Sequence, residues 1–153
     1  MLRDKLNEAL KEAMRARDMA TVGAVRLILA KLKEVDIAAR TESNREGVPD
    51  DRILSMLQGM IKQRNESAVL YEKGNRPELA KQESDEIDII RGFMPEQMTD
   101  EAMEAAVASV IEELGAASLK DMGRTMSHLR EHYAGRMDFG KASALLKQRL
   151  GGG

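Results

Sequence analysis

Ile89-Ile90-Arg91-Gly92-Phe93-Met94-Pro95-Glu96-Gln97-Met98-Thr99 divides the chain. A helix arriving through Ile87 and Ile90 meets Gly92, a weak helix former, and then Pro95, which has no backbone donor. It should end there. Thr99 is placed to cap the next helix. Asp100 and Glu101 fall in that helix's first turn, where carboxylates suit the positive end of the dipole. The stretch therefore reads as a joint between two all-α domains, a four-helix N-terminal domain over 1–95 and a small three-helix C-terminal domain over 96–153.

Upstream, apolar residues recur at helical spacing. Leu2, Leu6, Leu10, Ala13 and Met14 give one face of a helix running to about Arg17. Asp18 caps a second, to about Arg40, whose wide stripe from Val22 to Val35 marks it as the core helix. Residues 41–49 read as a mobile polar loop. A third helix follows over about Asp50 to Lys73, with Gly74 as its stop. Pro77 then opens a fourth, with Leu79, Ile87 and Ile90 inward. Downstream, a helix spans about Asp100 to Leu114 and ends at Gly115. Ser118, with Asp121 in capping-box position, starts the next, and Gly135 ends it. Asp138 caps the last, before a flexible Gly151–Gly153 tail.

Composition narrows the function classes. The chain has 153 residues, 33% of them charged, with no Cys, so disulfides and thiolate chemistry are excluded. Aromatic content is 3%, so packing rests on aliphatic residues and 11 Met. No apolar run is long enough to span a membrane, and a soluble cytoplasmic protein is expected. The net charge of −2 conceals a pattern. Residues 1–33 carry eight bases against four acids, 83–115 ten acids against one base, and 116–153 seven bases against three acids. The basic ends suit phosphate backbones and the acidic middle repels them; mixed-charge solvated faces give the same pattern without any ligand.

Three constellations bear on chemistry. His128-Leu129-Arg130-Glu131-His132 matches an inverted zinc-peptidase pattern, which would make a metal-dependent hydrolase. Only Asp138 follows as a carboxylate side chain, so a third ligand is lacking and a polar helix face is the simpler reading. Gly135-Arg136-Met137-Asp138-Phe139-Gly140-Lys141-Ala142 nearly matches a P-loop, but Ala142 replaces the magnesium-holding hydroxyl and no strand precedes it. The loop still offers Arg136, Lys141 and a helix N-terminus to a single phosphate. Arg64, Ser67 and Tyr71 share a helix face that either meets a ligand or pairs Arg64 with Glu83 or Glu86. No nucleophile–base pair is evident, and no catalytic residue, cofactor or metal site is expected.

Five segments together resemble the YqeY family. They are Arg26-Leu27-Ile28-Leu29-Ala30-Lys31-Leu32-Lys33, Arg64-x-Glu66-Ser67-Ala68-x-x-Tyr71-Glu72-x-Gly74-x-Arg76-x-Glu78-Leu79-Ala80, Phe93-Met94-Pro95-Glu96-Gln97-Met98, Leu114-Gly115-Ala116 and Lys120-Asp121-Met122-Gly123. That family is similar to the helical and tail region of the B subunit of the glutamine-dependent aminoacyl-tRNA amidotransferase, a carbon–nitrogen ligase. In that enzyme the helical and tail regions help recognise tRNA, while activation and glutaminase chemistry lie elsewhere. This chain begins at the helical region, so the catalytic cradle is expected to be absent. The resemblance implies a noncatalytic module whose partner is tRNA or an aminoacyl-tRNA complex. It implies RNA-backbone contact at Lys120, Arg124, Arg130, Arg136 and Lys141, beside Gly135. The alternative, from the Met-rich helices and near-neutral charge, is an adaptor for amidotransferase subunits or a synthetase.

Overall fold

The structure, a computed structural model, describes residues 1–41 and 46–151. Among them are seven α-helices and one 3-10 turn, with no strand. The chain folds into two compact units, Met1–Met94 and Pro95–Gly153.

The first unit holds α1 (Leu2–Ala16), α2 (Met19–Ala38), α3 (Asp50–Lys73) and α4 (Pro77–Arg91). Arg17 stops α1 by turning left-handed, φ 57°, and the Asp18 side chain accepts the Thr21 N–H at 3.2 Å to start α2. Val22, Ala24, Val25, Ile28 and Leu32 bury one broad side of α2, which touches α1, α3 and α4. It is the central helix that its wide apolar stripe called for. Its last expected residues fall outside it, and Ile37 is exposed.

Helix α3 lies against α4 for much of its length and touches α2 only sparsely. Its buried residues, Ile53, Leu57 and Met60, are all in its N-terminal half; Val69 and Leu70 stand exposed. The α3–α4 pair is pinned by Arg64, whose Nε donates to Glu86 Oε2 at 3.0 Å in a largely buried setting, as the paired reading of Arg64 anticipates. Helix α3 stops at Gly74 as expected, but the left-handed residue of the turn is the next one. Gly74 keeps an ordinary φ of −83°, and Asn75 takes the left-handed conformation at φ 59°. Asn tolerates that region, and the Arg76 N–H closes the turn on the Tyr71 carbonyl at 2.8 Å.

The 41–49 loop is described only in part. Residues 42–45 lie outside the described residues, but the end of the loop is fastened. Val48 is buried, its N–H donates to Asp36 Oδ1 at 2.9 Å, and its carbonyl accepts from Arg3 at 2.9 Å. Arg3 in turn forks onto both Asp36 oxygens, at 2.7 and 2.6 Å. Gly47 is required beside this knot, because φ is 95° and a Cβ would sit 2.5 Å from the Arg3 guanidinium. The Asp50 carboxylate meets the Leu2 N–H at 3.3 Å and holds the start of α1.

The second unit holds α5 (Asp100–Leu114), a 3-10 turn (Leu119–Asp121), α6 (Met122–His132) and α7 (Phe139–Gly151). Thr99 caps α5 through the Ala102 N–H at 3.1 Å, and Gly115 ends it at φ 63°. The Ser118–Asp121 capping box forms, but it opens the 3-10 turn rather than one continuous helix. Asp138 caps α7 through the N–H groups of Gly140 and Lys141. Met103, Val107, Val110, Met126, Leu129, Met137 and Leu146 form the core. Thr125 is fully buried and satisfied by the Asp121 carbonyl at 2.8 Å.

The dividing stretch belongs to both units. Phe93 and Met94 pack on the core of the first. Gln97 donates to the Gly135 carbonyl and the Met98 N–H to the Arg136 carbonyl at 2.9 Å, both within the second.

The Asp36 carboxyl sits below its ordinary value of 3.8, mainly because Arg3 donates to it and secondarily because Val48 does. A carboxylate with a lowered native pKa contributes stability that is complete above the unfolded value and lost as pH falls through the native one. Asp36→Asn should therefore cost roughly 1 kcal/mol at neutral pH. It should also remove part of the acid sensitivity that the parent shows below pH 3.8. Urea titrations of both proteins across pH check this.

Candidate nucleic-acid interface

The five cations singled out in the sequence all lie in the second unit. Arg124 and Arg130 are six positions apart on α6, which places them about 120° apart around the helix. The buried Thr125, Met126 and Leu129 lie on the wider arc between them, and the exposed Gly123 and Ser127 on the narrower one. Arg136 and Lys141 bracket the turn into α7, and Lys120 sits in the 3-10 turn.

Their local partners sort them further. Arg124 is occupied. Its Nε donates to Asp121 Oδ1 at 3.1 Å and a terminal nitrogen donates to the Leu114 carbonyl at 2.9 Å, at the negative end of α5. The Asp121 carboxyl is held below its ordinary value, first by the Ala117 and Ser118 N–H groups and only then by Arg124. One carboxylate thus serves the capping box and the arginine together. Lys141 lies 3.5 Å from Asp100, with both side chains mostly in solvent, so the pair is weak and easily exchanged. Arg136 lies over the Tyr133 ring, 5.9 Å from its centre, within cation–π range. Lys120 and Arg130 are exposed and have no ion-pair partner among the described residues.

The helix N-terminus beside Arg136 and Lys141 is not an open anion site. Asp138 Oδ1 takes the Gly140 and Lys141 N–H groups at 3.0 and 3.2 Å, where a phosphate oxygen would need to be. The P-loop likeness likewise has no strand before it among the described residues.

A family model described as "Yqey-like protein" matches residues 3–150. The chain belongs to the YqeY family. The match runs through both units, so neither is an appendage to the family's sequence pattern. Among curated proteins, no significant match is found.

Two further features qualify the surface of this YqeY chain. The second unit as a whole is not basic: it carries seven Lys and Arg against nine Asp and Glu, because α5 brings its acids with it. Free positive charge is confined to the turn–α6–α7 side. On α6 the rings of His128 and His132 stack at 4.1 Å. His128 Nε2 lies 3.8 Å from Glu113, and His132 Nδ1 meets the His128 carbonyl at 2.9 Å. Among the described residues no set of three His, Cys, Asp or Glu is arranged to hold a metal ion.

Sequence reasoning did not find Gln97, Met98 or the Arg136–Tyr133 contact. Only the three-residue spacing of Tyr133 and Arg136 hints at the last.

These placements separate the cations in a measurable way. Arg124→Ala should lower the thermal unfolding midpoint, because α6 loses its tie to α5. Lys120→Ala and Arg130→Ala should leave it unchanged. Far-ultraviolet circular dichroism melts of the full chain make the comparison.

Proposed function

We propose that this YqeY chain is a noncatalytic tRNA-associated binding module. On this reading the two units are domains, four-helix and three-helix, and the second supplies the contacts to the RNA backbone. The observation that carries it is the trio Lys120, Arg130 and Arg136: two exposed cations without ion-pair partners among the described residues, and a guanidinium set on an aromatic face. Cations meet phosphates, and a Tyr–Arg pair offers a plane on which an unpaired base can stack. The family's likeness to the tRNA-recognising tail of the amidotransferase B subunit supplies the choice of RNA. The family-level link to glutamine-dependent carbon–nitrogen ligation enters as association with that system, since polar residues of this chain are spent on internal ties such as Arg64–Glu86 and Arg124–Asp121. The partner is tRNA or an aminoacyl-tRNA complex, in the cytoplasm.

A second reading is an adaptor for amidotransferase subunits or an aminoacyl-tRNA synthetase. It draws on the N-terminal unit, where Leu27, Val69 and Leu70 are each about half exposed or more. Co-purification with and without nuclease separates the two, since a partner that survives nuclease favours the adaptor.

For the RNA reading, gel-shift titrations with tRNA across salt are decisive. The parent should bind at low salt. The triple change Lys120→Ala, Arg130→Ala, Arg136→Ala should weaken binding and flatten the slope of log K against log salt by a little under ~1 per lost phosphate contact. Equal binding by parent and triple variant would rule this surface out.

A further inference from the structure

The N-terminal unit contains an open groove of about 360 Å³ between α2 and α3. Val35, Met56 and Met60 supply its apolar lining, Lys31 and Arg52 are its charged residues, and among the described residues no carboxylate lines it. Lys31 lies 3.4 Å from Glu34 in a mostly solvated pair, which a competing carboxylate can exchange. The Arg52 guanidinium has no ion-pair partner among the described residues.

The spacing indicates what shape fits. Arg52, Met56 and Met60 repeat every four residues along α3, and Lys31 and Val35 do so along α2. The lining of α3 from Arg52 to Gln63 covers roughly 16 Å, or three helical turns. A third helix laid between the two presents side chains at the same interval. Methionine suits this task because its thioether adapts to whatever apolar side chain arrives. The floor argues against RNA, since a phosphate backbone over Met56 and Met60 would lose water and gain no partner. Gly59 keeps the groove open: a Cβ there meets nothing within 4 Å.

The geometry points to this groove as the docking site for an amphipathic helix of a partner protein, with apolar residues on its inner face and Glu or Asp along its flanks to meet Lys31 and Arg52. The inference is independent of the RNA reading, which concerns the other unit.

The test uses the full chain with ¹³C-methyl methionine and a blocked synthetic helical peptide of about fourteen residues, Leu on one stripe and Glu on its flanks. The Met56 and Met60 methyl resonances should shift on titration. Arg52→Glu should weaken binding at least about tenfold, because it places like charges together. Gly59→Leu should abolish binding while raising the melting midpoint, because it fills the groove and improves the helix. Gly23→Ala, in α2 and outside the lining, should also stabilise yet leave binding intact.

Absence of Met56 and Met60 shifts would overturn the proposal. So would equal binding of the same peptide with Lys in place of Glu, or displacement of the peptide by tRNA, which would make the groove an RNA surface. Self-association that Gly59→Leu removes would assign the groove to a second copy of this chain and overturn the partner proposal as well. The peptide experiment is read on methyl groups of the first unit and the tRNA experiment on variants of the second, so either can fail alone.

Discussion

The N-terminal unit depends on the fork of Arg3 over Asp36. Arg3 is in the first turn of α1, Asp36 is near the end of α2, and Val48 is on the segment entering α3. Three parts of the chain far apart in sequence meet through one guanidinium, one carboxylate and one peptide unit. The Asp36 Oδ1 atom serves twice, accepting from Arg3 and from the Val48 N–H. Charge-assisted, bidentate contacts of this kind fix orientation as well as distance. That matters because α2 and α3 pack against each other only sparsely. The knot ties the end of α2 to the start of α3, and α4 packs along α3 and touches α2. With α3 held by the knot and by α4, a groove is left between α2 and α3.

Local physics explains what was legible in the sequence. Helix periodicity, and caps whose donor and acceptor lie within four residues, need no knowledge of the fold. Asp18, Thr99, the Ser118–Asp121 box and Asp138 all cap where their spacing indicates. Arg64 with Glu86 was also readable, because a short turn between two helices makes their facing residues neighbours. The Arg3–Asp36–Val48 knot was not, since nothing in the spacing of 33 residues between Arg3 and Asp36 marks them as a pair. The seam from Gln97 and Met98 to residues 135 and 136 was hidden for the same reason. Polar composition suggested a mobile 41–49 loop, yet one buried valine and two hydrogen bonds to its backbone fasten its end.

The candidate interface was legible as composition and illegible as arrangement. Counting charges along the chain made residues 116–153 basic, but folding returns the acids of α5 to the same unit. It also spends Arg124 on Asp121 and the Leu114 carbonyl, while Lys120, four residues earlier and likewise exposed, has no ion-pair partner among the described residues. Two basic residues that look alike in sequence thus differ in what they can offer a ligand. The difference arises from the C-terminal carbonyls of α5, which attract the nearer cation.

Charge balance constrains how such a module can hold a polyanion. The first unit has equal numbers of basic and acidic side chains and the second is net acidic, so bulk attraction does not concentrate RNA around the protein. Within the proposed function, affinity must come from a few well-placed contacts and from terms that salt does not screen. Arg136 on Tyr133 is suited to that, because stacking on a planar pair survives ionic strength that weakens a lone lysine. The same reasoning separates the two units. A groove with two cations over methionine favours carboxylates carried on an apolar helix, whereas exposed cations beside a tyrosine favour phosphates carried with bases. Under the two proposals, the apolar floor in one case and the aromatic plane in the other would select between anions that charge alone would not distinguish.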